Sequence, residues 1–263
     1  MQANIHDPAS LRELLRECDA VVNLVGILNE RGHDGSGFAH AHVALAEKLV
    51  AACHATGVAR VLQMSALKAD AERAPSHYLR TKGRAEQVIA TADLDAVIFR
   101  PSVIFGPEDS FINRFARLLR LSPVLPLACP GSRFAPVFVA DVVSAFVAGV
   151  RDKLSGTYEL CGPDIYSLEE IVRMIRAHLR LKRRILPLPQ SLARVMAWTG
   201  EYLPGKPFSR DNLASLGVAS VCVGEDLRRL GIRPESLDAR LAECLGESGR
   251  RRLLERVRRT ARR

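Results

Sequence analysis

The feature that most constrains the fold of this chain is an alternation of apolar, β-branched runs with helical patterns. Residues 19–26, DAVVNLVG, are apolar on both faces, as strands of a parallel sheet are, and predict a buried strand. Residues 38–57 place apolar side chains at helical spacing and end at a glycine, which predicts a helix, and residues 59–66 predict the next strand. This alternation predicts an α/β fold, a Rossmann-like parallel sheet with helices on both faces.

The rest of the sequence predicts further segments of this fold and a smaller lobe. Residues 95–106 predict a strand and residues 107–121 a helix, and a Ser-x-x-Glu capping box opens another helix at 167–179. The proline-rich sequence from residue 183 onward predicts a small, mostly helical lobe. We therefore divide the chain into a Rossmann-like domain at 1–182, a C-terminal lobe at 183–248 and a basic tail at 249–263.

Composition and cysteine spacing narrow the class of protein. The apolar runs are shorter than the ~20 residues needed to cross a bilayer, and the first residues lack a secretory signal, so we expect a cytoplasmic protein. The six cysteines include no C-x-x-C pair, and we interpret them as reduced packing residues rather than zinc ligands or disulfides. His40 and His42 point to different faces of a helix, which predicts solvated side chains and no metal site.

The net charge of +9 is concentrated at one end of the sequence. Residues 249–263 contain eight arginines and one glutamate, so the rest of the chain is close to neutral. The arginines alternate with an apolar stripe, which is the pattern of a basic amphipathic helix. Such a helix is either solvated or binds an acidic subunit or an anionic membrane surface, here the cytoplasmic face of the inner membrane. Nucleic acid is the less favoured partner, because no aromatic residues for base stacking are interleaved with the arginines.

The stretch SHYLRTKGRAE, residues 76–86, places Tyr78 four residues before Lys82 on a predicted helix. Residues at this spacing share one face. A lysine there can lower the pKa of the phenol from about 10, which would make Tyr78 a general acid or base. Ser65 follows a predicted strand and is placed to polarise a carbonyl. The spacing alone is more typical of two side chains on the surface of a helix. The surrounding sequence is therefore needed to distinguish such a surface pair from a proton-transfer pair.

Motifs in a fixed order supply that context: NIHDP at 4–8, VVNLVG at 21–26, Ser65, Tyr78-x-x-x-Lys82, RPSVIFGP at 100–107 and VFVADV at 137–142. With them the chain resembles the extended and atypical short-chain dehydrogenase/reductase superfamily. The stretches YLRTKGRAE, GPEDSFINRFARL and SRDNLASL resemble the alpha-subcomplex subunit nine family of respiratory complex I, an accessory nucleotide-binding family. The resemblance implies NADP or NAD as cofactor. In the mitochondrial members NADPH has a structural role and no substrate is turned over.

The resemblance also implies the site residues. Tyr78 and Lys82 would bond the ribose and the reacting carbon, with Ser65 near the nicotinamide, and these three residues would be catalytic in an active member. The segment MSALKADAERAP lacks the second hydroxyl common in active epimerases, which weakens a sugar-nucleotide function. The implied cofactor-binding residues are Asn4 and Ile5 at the adenine, Asn23, Leu24, Val25, Gly26, Ser65, Tyr78, Lys82, and Pro101, Ser102, Val103 and Ile104 at the nicotinamide end, with no metal ligand.

A dinucleotide fold also needs a first strand and a glycine-rich turn at a helix N-terminus, and neither precedes Asn4. The glycine cluster RGHDGSGF at 31–38 has the wrong spacing, and we interpret it as a flexible loop rather than a phosphate cradle. We expect that a βαβ unit with the glycine turn belongs upstream, and that the start is miscalled or the gene shortened. The fold would then lack its first βαβ unit, and the strand at 19–26 would be an open sheet edge.

Two functions from different classes follow. The chain is an NAD(P)(H)-binding accessory or assembly protein related to complex I, or it is an NAD(P)-dependent oxidoreductase or epimerase/dehydratase with Tyr78 as general acid/base. The residue that would distinguish NAD from NADP follows the missing second strand. Trp198 and Tyr202, also four residues apart, are predicted to pack inside the small lobe, with a surface for an apolar ligand as the alternative.

Overall fold

The computed structural model describes residues 4–203 and 206–245, and the basic tail at 249–263 lies outside them. The helices are α1 Pro8–Leu15, α2 Ser36–Ala39, α3 Leu45–Thr56, α4 His77–Thr91, α5 Ile112–Leu121, α6 Val139–Arg151, α7 Leu168–His178, α8 Gln190–Gly200, α9 Arg210–Leu216, α10 Asp226–Arg229 and α11 Leu237–Leu245. The strands are β1 Ala20–Asn23, β2 Arg60–Met64, β3 Asp95–Pro101, β4 Ile104–Phe105, β5 Val124–Leu127, β6 Arg133–Phe134, β7 Val137–Phe138, β8 Gly156–Leu160, β9 Tyr166–Ser167 and β10 Arg184–Pro187. No helix within these described ranges is long and apolar enough to span a membrane.

The central sheet is parallel and has the strand order β1-β2-β3-β8. Alternate residues of β2 face opposite sides, since Val61 packs with α1, α3 and α4 while Leu62 packs with α6. The sheet is therefore covered by helices on both faces, and the predicted α/β class is confirmed. Within the described residues, three two-stranded sheets accompany it: β5 with β10 and β4 with β7 in parallel, and β6 with β9 antiparallel.

β1 is the edge strand of this sheet in the part of the chain that the structure describes. The strand covers only residues 20–23, and Val22 is 44% exposed. The predicted open edge is thus confirmed, whereas the prediction of a strand buried on both faces is wrong. Val22 pairs with Leu62 of β2 across the sheet. Helix α6 covers Leu62 but leaves Val22 uncovered.

Most helix boundaries follow the local sequence signals. The predicted helix at 38–57 is observed as α2, a π-helical turn at His40–Ala44, and α3, and Gly57 ends it in the left-handed conformation with φ 77°. The Ser167–Glu170 capping box is present. The helix predicted from residue 107 begins instead at Ile112, after the N-cap Phe111, and the carboxylate of Asp109 accepts the N–H groups of Phe111 and Ile112, which have no partner within the helix.

A second apolar core lies away from the central sheet. It is formed by α5, α7 and α11 together with β5, and it joins residues on both sides of position 183. Fully buried members include Ile112, Leu119, Leu168, Ile175 and Leu237. The division of the chain at residue 183 stays a prediction.

Cys161 and Cys222 form a disulfide, so the interpretation of every cysteine as reduced is wrong for this pair. Their contact is not visible in the sequence, because 61 positions separate them. It arises because both segments flank Ala135: Gly162 N donates to Ala135 O, and Ala135 N donates to Ser220 O. The free cysteines are Cys18, Cys53, Cys129 and Cys244.

Trp198 and Tyr202 are 52% and 68% exposed, so the prediction that they pack inside the small lobe is wrong. The buried side of α8 is formed by Ala193, Ala197 and Gly200. These small residues allow α8 to lie close to neighbouring backbone, since a Cβ on Gly200 would be 2.3 Å from Phe208 O. The large aromatic residues lie on the opposite side of the helix.

Helix α9 caps the first turn of α4. Asp211 Oδ1 accepts His77 N at 2.6 Å, and Asp211 Oδ2 accepts Tyr78 N at 3.2 Å. Ser215 Oγ donates to Ser76 Oγ at 2.8 Å, and Ser76 is itself the N-cap of α4. Because helix N-termini have unsatisfied N–H groups and a partial positive charge, this carboxylate fixes the end of α4 that carries Tyr78.

We expect Asp211→Ala to lower the free energy of unfolding by about 1–2 kcal/mol, because two backbone N–H groups lose their acceptor. Asp211→Asn keeps one acceptor oxygen and should lose less. Asp238, an exposed aspartate in the first turn of α11, provides the control, and Asp238→Ala should stay within about 0.5 kcal/mol of the parent. Urea unfolding of the three variants checks this, and equal losses for both alanine variants would contradict the capping role.

Gly83, next to Lys82 on α4, generates a second prediction. A Cβ there would be 2.4 Å from Ala71 N, so Gly83→Ala must displace backbone. Alanine would favour an isolated helix by about 1 kcal/mol, yet we expect a net loss of about 1–3 kcal/mol from overpacking. Gly131→Ala, where a Cβ meets open space, should be neutral. Thermal unfolding distinguishes the two, and a stabilised Gly83→Ala protein would show that the close approach is not rigid.

Candidate functional site

The carboxyl ends of β1, β2 and β3 bring most of the predicted site residues to one edge of the sheet. Asn23 ends β1 and leads to Gly26, Ser65 follows β2, and Pro101 ends β3. Helix α4 adds Tyr78 and Lys82 from the segment between β2 and β3. In open α/β sheets this edge is where ligands bind.

Lys82 lies at the centre of this site. Its Nζ atom donates to Val25 O at 3.2 Å and to Met64 O at 3.1 Å, so it joins α4 to the segments that follow β1 and end β2. Burial lowers the pKa of the ammonium to about 8, and the negative charge of Glu86 opposes this shift. Lys82 therefore remains mostly a cation at neutral pH, in a position where a charge is costly without a partner of opposite sign.

Ser65 follows Met64, whose carbonyl oxygen accepts from Lys82, and it has a buried hydroxyl group. Its backbone N–H donates to Phe99 O at 2.8 Å, which continues the sheet pattern for one residue beyond β2. The Oγ atom is buried and has no hydrogen-bond partner among the described residues. A buried hydroxyl without a partner is unusual, and a ligand group that completes its hydrogen bond would be stabilised there.

Tyr78 is half-buried against two rings. Phe38 and His42 contact it edge-on, with ring centroids 6.1 and 5.7 Å away. Burial raises the pKa of Tyr78 to about 12, which contradicts the expectation that Lys82 lowers it. The physical reason is that desolvation disfavours the phenolate. At neutral pH Tyr78 is thus a neutral phenol that can donate a proton or a hydrogen bond, and it is a poor base.

His42 is a site residue that the sequence reasoning assigned to the surface. It is buried, and its Nε2 atom accepts Ile27 N at 3.2 Å while Nδ1 lies 2.9 Å from Thr81 Oγ1. Because Nε2 accepts, the proton belongs on Nδ1, and burial with the charge of Lys82 lowers the pKa of His42 to about 3. The predicted exposure is correct for His40 and wrong for His42. The spacing of His42 with Leu45 and Leu49 on one helical stripe was the signal for burial.

The other predicted residues are placed as follows. Asn23 is buried, its Nδ2 donates to Gln63 Oε1 and its Oδ1 accepts Val25 N, while Leu24 is exposed. Ser102 Oγ is used internally, since it donates to Ser220 O at 2.7 Å.

Ile104 lies in β4, and Val103 O accepts Val137 N. Asn4 is exposed and its Oδ1 accepts His6 N, whereas Ile5 is partly buried against the core that α1, α3 and α4 form on one face of the sheet. Their cofactor contacts stay predictions.

The glycine cluster at 31–38 is not arranged as a phosphate cradle. The carboxylate of Glu30 accepts Gly35 N and Gly37 N, each at 2.8 Å. These are the N–H groups at the start of α2 that a phosphate would need. On the other side of the loop, Lys206 Nζ donates to Arg31 O and Gly32 O. The positive helix N-terminus is therefore already neutralised by a side chain of the same loop.

The residues at the sheet edge fit the ribose and nicotinamide end of a dinucleotide. Lys82 provides a buried cation and Ser65 an unused hydroxyl among the described residues. Gly26 keeps this space open, because a Cβ there would be 3.0 Å from Lys82 Nζ. In the described ranges 4–203 and 206–245, no group of three or more histidine, cysteine or carboxylate side chains is arranged to hold a metal ion. The polar groups that this edge offers to a ligand are thus the Lys82 ammonium and the Ser65 hydroxyl.

Comparison with known proteins agrees with this geometry. A protein-family model described as NAD(P)H-binding matches residues 1–111. The mitochondrial NADH dehydrogenase [ubiquinone] 1 alpha subcomplex subunit 9 of Arabidopsis thaliana is 32% identical over 213 residues, which cover 79% of this chain and 52% of that protein. A ceramide reductase of Caulobacter vibrioides is 31% identical over 184 residues, 69% of this chain and 57% of that protein. The chain thus spans little more than half the length of these curated relatives.

The fold has counterparts among solved structures. The dTDP-4-dehydrorhamnose reductase of Bacillus anthracis, in complex with NADP, aligns with a TM-score of 0.70 at 15% identity, over 92% of this chain and 86% of that one. At this identity the likeness concerns the fold. The family match identifies an NAD(P)H-binding domain over residues 1–111, the curated relatives show that the chain is homologous to complex I alpha subcomplex subunit 9, and the solved structures share its Rossmann-like fold.

Proposed function

We propose that this chain is an accessory or assembly protein of the complex I type, which holds NADP or NAD as a structural ligand. The observation that carries the proposal is the position of Lys82. Its buried Nζ atom lies at the carboxyl ends of the strands between Val25 O and Met64 O, next to the segment with the Ser65 hydroxyl, which has no partner among the described residues. Lys82 is a buried cation, whereas burial raises the pKa of Tyr78 to about 12. A cation suits the binding of an anionic ligand, and a phenol that holds its proton so firmly is ill-suited to abstract one from a substrate.

Within this proposal each residue has a binding role. Lys82 would bind the ribose hydroxyls next to its carbonyl partners, and Ser65 would gain a hydrogen bond near the nicotinamide. Asn23–Gly26 and Pro101–Ile104 would line the two sides of the ligand. A nicotinamide dinucleotide supplies hydride transfer when a substrate is present. The neutral His42 behind Tyr78 fixes the ring positions and takes no part in proton transfer, since its pKa is about 3.

The proposed partners and location come from the relatives and from the charge of the tail. The curated relatives are named as subunits of NADH dehydrogenase, and we propose that this chain likewise docks on a respiratory complex. The basic tail at 249–263 would contact an acidic subunit or anionic lipid. A protein docked in this way would be cytoplasmic and peripheral to the inner membrane.

An oxidoreductase is the second candidate, and a specific observation favours it. The Ser65 hydroxyl is buried without a partner in the described part of the chain, as expected of a group that waits for a substrate carbonyl. A curated relative is named as a ceramide reductase. As an enzyme, the chain would use the neutral Tyr78 to donate a proton to a carbonyl oxygen while hydride moves from the cofactor.

Native mass spectrometry of the endogenous protein, which reports the chain length and any bound dinucleotide in one spectrum, tests the binding function directly. With NADPH or NADH added, we expect an adduct of one dinucleotide per chain, because the chain presents one such sheet edge with Lys82 at its centre. If neither nucleotide gives an adduct under conditions that keep the protein folded, the proposal is overturned.

Dinucleotide affinity should depend on the charge of Lys82. Lys82→Met should weaken binding roughly 10- to 100-fold, the contribution of a charge-assisted hydrogen bond. Because the pKa of Lys82 is about 8, only about one tenth of the chains keep the cation at pH 9, so the parent should bind up to about tenfold more weakly there than at pH 7. Binding of an anion stabilises the charged form of Lys82, so the affinity falls as the pH rises and the lysine loses its proton.

Isothermal calorimetry at both pH values measures these affinities. The matched control is Lys153→Met at an exposed lysine, which should keep the affinity and the pH dependence of the parent. Lys82→Met should lose the pH dependence. An unchanged profile in that variant would show that another group titrates.

Tyr78→Phe separates the two candidate functions. A structural ligand site should bind the dinucleotide within about threefold of the parent, since only one hydroxyl is removed. An enzyme should lose roughly 100- to 10,000-fold in cofactor oxidation with a carbonyl substrate, the usual contribution of a general acid. Absorbance at the reduced nicotinamide band follows the reaction. Turnover by the parent that disappears in this variant would establish the oxidoreductase instead.

A further inference from the structure

The outward side of α8 is apolar although it faces solvent. Leu192, Val195, Trp198 and Tyr202 are all more than half exposed, and Leu203 continues the surface just beyond the helix. These residues recur at helical spacing on the side opposite to Ala193 and Ala197. We call this surface, residues 192, 195, 198, 202 and 203, the α8 face.

The α8 face is not explained by the packing of the lobe. The buried side of α8 consists of small residues, so the large side chains are the ones left outside. The rings of Trp198 and Tyr202 contact each other edge-on at 5.5 Å and cover little of the protein. Contiguous exposed patches of this kind mark interaction surfaces, whereas single exposed apolar residues are ordinary.

The charge around this face indicates the kind of partner. Residues 180–210 contain seven basic residues and one acidic residue. The single acid, Glu201, is buried and paired with Arg210 and His33. The basic residues are Arg180, Lys182, Arg183, Arg184, Arg194, Lys206 and Arg210. Of these, Arg194 is exposed on α8 itself, and Arg210, which is paired with Glu201, begins α9, the helix that packs on α8. An apolar helix face that also carries a cation is complementary to a surface that is apolar inside and anionic outside.

We propose that the α8 face docks in the interfacial layer of an anionic lipid bilayer, with α8 parallel to the membrane plane. Tryptophan and tyrosine combine an apolar ring with a polar tip and are enriched at that depth. The helix presents a convex side rather than a groove, which suits a deformable lipid surface. This surface is distinct from the tail at 249–263 and from the dinucleotide site, so the proposal goes beyond the function proposed above.

Trp198 allows a direct test because it is the only tryptophan in the chain. The full chain is mixed with vesicles of phosphatidylcholine containing roughly one-third phosphatidylglycerol, and with vesicles of phosphatidylcholine alone. We expect a blue shift of Trp198 emission with the anionic vesicles and quenching by lipids brominated in their acyl chains. Vesicle sedimentation in the same samples gives the partition coefficient.

Two valines of matched exposure supply the variant and its control. Val195 on the α8 face is 57% exposed and Val147 on α6 is 56% exposed, so Val195→Asp and Val147→Asp make the same change at equivalent surface positions. Val195→Asp should lower the partition coefficient at least about tenfold, because it places a carboxylate in the apolar layer. Val147→Asp should change it less than about threefold.

The outcomes distinguish this proposal from its alternatives. Sedimentation with vesicles but no Trp198 shift or quenching would mean that another segment binds lipid, and it would overturn the proposal. Absence of vesicle binding would also overturn it, and would leave a protein subunit as the occupant of the face. The dinucleotide affinity of Val195→Asp should equal that of the parent. Loss of lipid docking can therefore be distinguished from loss of dinucleotide binding.

Discussion

The position of the Lys82 ammonium is the constraint on which the site depends. Its hydrogen bonds to Val25 O and Met64 O tie α4 to the ends of β1 and β2 with a single side chain. Hydrogen bonds to backbone carbonyls only partly compensate for the desolvation of a cation, and the pKa of Lys82 is lowered accordingly. An apolar side chain of similar length would serve packing better. The lysine is therefore best understood as a group that binds a ligand, with the helix and strands arranged around it.

Helix α9 holds this arrangement in place. Asp211 caps α4 immediately before Tyr78, and Asn212 Nδ2 donates to Leu28 O in the loop after β1. One short helix, α9, thus fixes both elements that approach the site from the sheet edge. Because α8 packs on α9, the α8 face and the dinucleotide site are linked through a single pair of helices. Docking through α8 would orient the site relative to the docked surface without any contact to the ligand.

Local signals predicted the elements of the fold well, and non-local contacts explain where they failed. Gly57 and the Ser167–Glu170 box marked helix ends correctly, because caps depend on neighbours within a few residues. The N-cap Ser76 of α4 is a local signal, but the second acceptor at this helix end, Asp211, lies 134 positions away from His77, and no local pattern carries that information. The disulfide partners Cys161 and Cys222 meet for the same reason. The orientation of α8 was missed because its small residues, rather than its aromatic ones, face the lobe.

The pair on α4 shows how the spacing of two residues can be right while their chemistry differs from expectation. Tyr78 and Lys82 share a face, but burial moves the phenol and the ammonium in opposite directions, to pKa values of about 12 and about 8. For Tyr78 to be half ionised at neutral pH, the phenolate would need about 7 kcal/mol of additional stabilisation. One cation at close range contributes about 4 kcal/mol at the effective dielectric of a protein surface. The pair is therefore a cation and a hydrogen-bond donor on one face of α4, which is a binding arrangement, and proton abstraction would require a further positive charge from whatever binds there.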